Sequence, residues 1–281
     1  MLLGVGVLAV GCTPAAQSEG GNGSSMPNPS DSPTAAPTEP QLPAVAAWHP
    51  SSNDISPAAK VSAVRRIERA GNTAHSALEV LDAQYGGILS STASVLVVTR
   101  TWTRSSAGEL NEGGRTFDVR LSLRGSSWRV TAIHPSRPGP REGQLTSAAR
   151  KVLGSDRIVL PPAARRDVRS GQVHDSALVA MLTVARAFRI EISVIRSGHP
   201  IHVFGTDRLS DHPQGRAFDT WRINGHAVVD PRTSRQLVTG YMHAVADAGS
   251  YNVGGPYLLG SAPQWFSNDT HHDHVHAGFV S

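Results

Sequence analysis

The sequence predicts an α+β protein, and three observations carry that prediction. Phe117, Val119, Leu121 and Leu123 alternate strictly with Asp118, Arg120, Ser122 and Arg124. After a Gly125-Ser126 turn, Trp128, Val130 and Ala132 continue the alternation, which describes an antiparallel hairpin with one buried face. Elsewhere apolar residues recur at helical spacing, as in Val61, Val64 and Ile67, and again in Leu237, Val238, Tyr241, Met242 and Val245. Helices packed on antiparallel sheet satisfy both periodicities.

Taken in chain order, Leu2 to Gly11 is an apolar and glycine run of signal-peptide length, too short to span a bilayer. Small residues before Cys12 resemble a bacterial lipobox, which makes Cys12 the expected lipidation site and residues 1–12 a lipoprotein signal peptide. Ala9 stands where leucine is commonest, and no Lys or Arg precedes the run. An ordinary cleaved secretory peptide is the alternative. Residues 13–50 are rich in Pro, Ser, Thr, Gly and Ala with few large apolar side chains, the composition of a disordered tether. As a flexible coil it reaches on the order of 35 Å.

Residues 51–135 read as a small α+β accessory domain. Ser56-Pro57 opens a helix by serine capping with proline in the first turn, and Gly71 closes it. A second helix is expected from about Thr73 to Ala83, with Leu78 and Leu81 inward, followed by a strand at Val95–Val98. This part resembles cystatin-like or nuclear-transport-factor-like accessory domains of exported actinobacterial proteins. No chemistry is expected in it; His75 and His134 read as surface or packing residues. Residues 136–142, with three prolines in Pro135–Arg141, are the expected linker, and 143–281 the functional domain. There, Gln144–Leu153 and a segment capped by Asp175 read as helices, Ile190–Ile195 as a buried strand, and His212–Trp221 with Ala227–Val229 as a strand pair. A helix at Ser234–Ala248 and a last strand at His274–Phe279 complete the domain.

The net charge of +4 is spread without a Lys/Arg run, which suits an anionic envelope and excludes nucleic acid as the expected partner. The single cysteine rules out an intramolecular disulfide and a cysteine-type zinc site. Both features fit an exported, membrane-anchored protein. Oligomeric state is not legible.

Nine of thirteen histidines fall at or after His199, so metal-capable chemistry is concentrated in the last third. His212 and Asp219 form one half of a ligand set and His271-His272-Asp273-His274-Val275-His276 holds the other. Two imidazoles and a carboxylate are the usual ligands of catalytic zinc, which keeps a position open for water. Gly215 is expected to permit a tight turn and Ala217 a close backbone approach. In a strand, His274 and His276 share one face and Val275 points to the other, with the two histidine Cα atoms roughly 6.6 Å apart.

The motif Ser-x-His-x-x-Gly-x-Ala-x-Asp is complete in Ser210–Asp219, and Asp273-His274-Val275-His276 fits its partner. On these residues the chain resembles the zinc peptidase superfamily of lysostaphin, D-Ala-D-Ala carboxypeptidases and hedgehog, nearest to the D-alanyl-D-alanine carboxypeptidase-like peptidases, over roughly Leu145–Ser281. The resemblance implies a hedgehog/DD-peptidase-like antiparallel sheet flanked by helices, Zn2+ held by His212, Asp219 and His276, and hydrolysis of peptidoglycan stem peptides or cross-links. For the general base it implies Asp273, at the spacing where relatives carry a carboxylate, with His274 assisting the oxyanion; strand parity favours His274 instead. Ser210 is expected to support the ligand histidine. Relatives often place an arginine after the Ser-Gly turn; here His199-Pro200 follows Ser197-Gly198, leaving Arg196 and Arg208 as candidates for substrate contact. The competing function is a catalytically inactive zinc-containing module that binds cell wall or a protein partner.

Overall fold

A computed structural model describes residues 40–280, which form an α+β structure in one compact unit. Cys12 and most of the expected tether lie outside the described residues. Helix α1 (Pro57–Gly71) is followed by strands β1 (Ser76–Ile88), β2 (Thr92–Arg104), β3 (Leu110–Gly113), β4 (Thr116–Arg124) and β5 (Ser127–Pro135). These strands make an antiparallel sheet in the order β1-β2-β4-β5, with β3 on β2. The chain continues through α2 (Ser147–Gly154), β6 (Ile158–Val159), α3 (Pro162–Arg169), α4 (Asp175–Val184) and β7 (Ile190–Val194). It ends with β8 (Ala217–Ile223), β9 (His226–Ala227), α5 (Arg235–Asp247), β10 (Asn252–Gly254), β11 (Trp265–Phe266) and β12 (Val275–Gly278). The second sheet runs β11-β10-β12-β8-β7-β6, with β9 on β8; it is mixed, because β10/β11 and β6/β7 are parallel.

Each sheet has one face under helices, and strand parity then assigns the other face. In β2, Ala93, Val95 and Val97 pack with Ala59, Ala63, Val64 and Ile67 of α1. Leu96 and Val98 point oppositely and meet Val194 of β7. The apolar run Val95–Val98 is therefore buried on both sides, as a central strand between two layers should be. Asp118, placed outward by simple alternation, is buried for the same reason and accepts a 2.6 Å hydrogen bond from Ser94 Oγ. In the second sheet, Phe218, Val275 and Ala277 face the helices and join a core with Leu178, Met181, Tyr241 and Met242. Asp219, His274 and His276 face the first sheet.

The expected helix at Thr73–Ala83 is corrected to a strand. Its Ala, Leu and Glu suit a helix, but β1 pairs with β2 from Ser76↔Thr103 to Ile88↔Ala93, with shifts after Val80 and Tyr85. Hairpin pairing with the next strand overrides local propensity here. At α1, Pro57 occupies the first turn, while Ser56 is left-handed (φ 47°) and makes no side-chain cap. Asp175 lies in the first turn of α4, one residue after its cap His174. Helix α3 carried no signal above its short Pro-Ala-Ala-Arg-Arg sequence, yet its buried Asp167 accepts from the backbone N–H groups of Arg196 (3.1 Å) and Ser197 (2.8 Å). That pins the turn at Gly198, where φ is 89° and a Cβ would come within 2.8 Å of Thr116. Segment 136–142 joins two sheets that share a buried layer.

Candidate metal centre

Asp219 in β8 and His276 in β12 are cross-strand partners, so their side chains rise side by side from one face of the second sheet. His212 arrives from the loop before β8. Gly215 makes that loop possible: it has φ 73°, its N–H returns to the His212 carbonyl at 2.8 Å, and a Cβ would meet the Gln172 carbonyl at 2.0 Å. Three ligand-type atoms converge. His212 Nε2 lies 3.1 Å from Asp219 Oδ1 and 3.1 Å from His276 Nδ1, and His276 Nδ1 lies 3.0 Å from Asp219 Oδ1. Ligands at 2.0–2.1 Å from a tetrahedral zinc stand about 3.3 Å apart, so the spacing fits a small divalent ion.

Orientation supports the same reading. His212 Nδ1 is 2.7 Å from the Ile195 carbonyl, which can only accept, so Nδ1 carries the proton and Nε2 presents its lone pair to the centre. The ring is oriented by that carbonyl; Ser210 Oγ instead accepts a 3.4 Å contact from the His212 backbone N–H. His199 stacks on His212 with ring centroids 4.1 Å apart, and its ligating nitrogen lies within 4.8 Å of those of His212 and Asp219. Two overlapping groups are thus available, and the tighter one contains His276. Burial opposes ionisation of Asp219, but His212 and His274 outweigh it and hold the carboxyl well below the usual carboxylate range. Burial and neighbouring imidazoles keep His199 and His271 well below their ordinary value, hence neutral.

Asp273 and His274 occupy different positions from those their spacing implies. His274 Nε2 is 3.7 Å from Asp219 Oδ1, on the metal-facing side, while its Nδ1 donates to Asp273 Oδ1 at 2.6 Å. The other carboxylate oxygen of Asp273 receives the Lys60 ammonium at 2.7 Å and the Tyr85 N–H at 3.1 Å. Both oxygens of the expected base Asp273 are thus engaged, Oδ1 by His274 and Oδ2 by Lys60 and the Tyr85 N–H. Strand parity, which favoured His274, agrees with the geometry. Burial lowers His274, but Asp219 and Asp273 together raise it above its ordinary value. For Asp273 burial acts upward, and Lys60 with His274 overcomes it, leaving the carboxyl strongly acidic.

The first sheet, in which no chemistry was expected, supplies much of this surround. Lys60 on α1 is buried, paired with Asp54 as well as Asp273. Gln84 of β1 donates to Asp219 Oδ2 at 2.6 Å. A lysine on an otherwise Ala/Val/Ile helix face was the available signal; Gln84 stands in a strand that also carries Glu79 and Asp82 and gave none. Buried polar side chains need partners; Lys60 has one nearby in Asp54, but its other partner, Asp273, and the Gln84 partner Asp219 lie far along the chain.

The centre lies at the wall of a cavity of about 770 Å3. Tyr85–Leu89 line it from the first sheet, and Phe204, Arg208, Leu209, Phe266 and His271 from the second part of the chain. Arg208 therefore reaches the cavity, whereas Arg196 is turned away, its guanidinium bonded to the Pro138 carbonyl at 3.3 Å. A second group, Asp54, His272 and Asp273, also has ligand-type atoms within 4.8 Å. There the Lys60 ammonium sits between the carboxylates, and His272 Nε2 already accepts the Ile55 N–H at 3.1 Å. Comparison with protein families, characterised proteins and solved structures returns no significant match.

Proposed function

We propose that this chain is a zinc-dependent peptidase of the lysostaphin, D-Ala-D-Ala carboxypeptidase and hedgehog type, hydrolysing stem peptides or cross-links of peptidoglycan. The observation that carries the reading is the convergence of His212 Nε2, Asp219 Oδ1 and His276 Nδ1 to 3.0–3.1 Å at the wall of an open cavity. When bound, Zn2+ lowers the pKa of a water toward neutrality and polarises a carbonyl oxygen. His274 is the proton-handling group: Asp273 holds its Nδ1–H, which leaves Nε2 to take a proton and return it to the leaving amine. Asp273 orients, and Lys60 keeps it ionised. The cavity is large enough for a short peptide, and Arg208 is its cationic side chain for a substrate carboxylate. Anchoring through Cys12 and a tether of roughly 36 residues belongs to the same proposal, because it places the site in the wall above the membrane.

The test is digestion of purified muropeptides by the zinc-loaded chain, followed by mass spectrometry. New fragments are expected, and His276→Ala is expected to lose both stoichiometric zinc after dialysis and all cleavage. A zinc-loaded wild-type protein that leaves every muropeptide intact overturns the peptidase reading. One observation favours a second reading, a zinc-containing module that grips cell wall or a partner without turnover: His199-Pro200 follows the Ser-Gly turn, and Arg196 points away from the cavity. Undiminished wall binding by an Asp273→Asn, His274→Ala double variant, with no wild-type turnover, would select it.

A further inference from the structure

Gln84 is a fully buried amide in the middle of β1, between the two sheets. Such a position is costly for an amide unless its groups are paired. Both are. Its Nε2 donates to Asp219 Oδ2 at 2.6 Å, across 135 residues of chain, and its Oε1 accepts from the buried Ser193 Oγ of β7. The amide orientation is dictated by chemistry: an ionised carboxylate only accepts, so the NH2 must face Asp219. Asp219 thereby has its two oxygens divided. Oδ2 is held by Gln84, and Oδ1 is left facing His212 and His276. Outer hydrogen bonds of this sort fix the rotamer of a ligating carboxylate and commonly set metal affinity.

We propose that Gln84 is a positioning residue of the metal centre, so that cation retention by the C-terminal ligands depends on a side chain of the N-terminal sheet. The proposal rests on reading His212, Asp219 and His276 as metal ligands. Without Gln84, the Asp219 carboxylate gains freedom to rotate, and its Oδ2 loses its buried donor. The neighbouring Ser193 is the support that keeps the amide in place.

The experiment is zinc titration of the full chain against a chromophoric chelator, with thermal unfolding of each metal-free variant. Gln84→Met keeps length and volume while removing the donor, and is expected to weaken zinc binding about 10–100-fold. Val98→Ala thins the same inter-sheet layer, where Val98 packs with Val194, without touching Asp219. It is expected to lower the melting temperature and leave zinc affinity within threefold. A Gln84→Met protein that binds zinc within threefold of wild type overturns the proposal. So does an equal loss in Val98→Ala, because the effect is then sheet docking alone. If Gln84→Met does not fold, Gln84→Asn decides, because it keeps the amide but draws it back from Asp219: weakened zinc binding supports the proposal and unchanged binding overturns it. A wild-type protein with no stoichiometric zinc would sink the metal reading itself, an outcome separable from all of these.

Discussion

Two clusters of carboxylate and imidazole lie back to back in this molecule, joined through the Asp273–His274 hydrogen bond. In one, Asp54, His272 and Asp273 surround the Lys60 ammonium. In the other, Asp219 is surrounded by the imidazoles of His212, His274 and His276, with a cavity beside them. The side-chain types are nearly the same. The difference is the lysine in the first. A buried carboxylate must be compensated, and a lysine delivered by α1 does this permanently, closing the first cluster as a structural ion pair. The second cluster holds imidazoles, of which His274, despite burial, is raised above its ordinary value by Asp219 and Asp273, and it lies beside the cavity. Ligand-type residues in proximity therefore do not by themselves distinguish a candidate metal centre from an ion pair; the lysine between Asp54 and Asp273 marks the latter.

The most severe way to break this contrast is to remove the lysine. Lys60→Met strands Asp54 and Asp273 as uncompensated buried carboxylates and is expected to cost about 3–5 kcal/mol of stability, measurable by urea unfolding near neutral pH. A loss below about 1 kcal/mol would mean that the first cluster is not held by its ion pair. The bond joining the clusters comes next. His274→Ala keeps all three proposed ligands, so zinc stoichiometry is expected to persist while turnover of muropeptides falls at least about 100-fold, the usual scale for a lost acid–base group. Retained turnover would transfer the proton-handling role elsewhere.

A smaller and pH-dependent effect sharpens the comparison further. Asp82 also neighbours Lys60 and Asp273, yet its Oδ2 is buried with no hydrogen-bond partner. Burial first, and then the Asp273 charge, push its pKa up to about 7. Because the folded protein binds this proton more tightly than the unfolded chain, the contribution of Asp82 to stability is complete below the unfolded value near 4. It is lost as pH rises toward 7. Asp54 and Asp273 behave oppositely: their pKa values are lowered, so their contribution holds above about 4 and disappears only in acid. Asp82→Asn is thus expected to gain stability relative to wild type between pH 4 and 7, reaching on the order of 1–2 kcal/mol above that range. Denaturant midpoints measured across that interval check the sign. A difference that stays constant with pH would show that Asp82 does not hold a proton there.

Much of this architecture was readable without coordinates, for identifiable reasons. The alternation in Phe117–Arg124 and Ser127–Ala132 reports a sheet face directly, and the apolar stripe from Leu237 to Val245 reports α5, with Ser234 Oγ accepting the Leu237 N–H at 3.2 Å. His212, Gly215 and Asp219 stand within ten residues, so the candidate ligands and the turn that brings them together are written in one short segment. The β1 segment was misread because Ser-Ala-Leu-Glu-Val-Leu favours a helix until β2 claims its backbone groups. Asp273 stands at the spacing of a base, but spacing says nothing of the Lys60 ammonium and the Tyr85 N–H that its carboxylate engages.

The local chemistry is in the sequence: which side chains can ligate a metal, which strand face they share, and where the chain must turn. Those properties follow from residue type and from the periods of helix and strand, both of which act over a few residues. Only the tertiary structure decided that α1 places an ammonium behind Asp273 and that β1 places an amide behind Asp219. Pairings as distant as Gln84 with Asp219 and Lys60 with Asp273 leave no periodic trace, because they arise when two independently patterned sheets bury their remaining faces against each other.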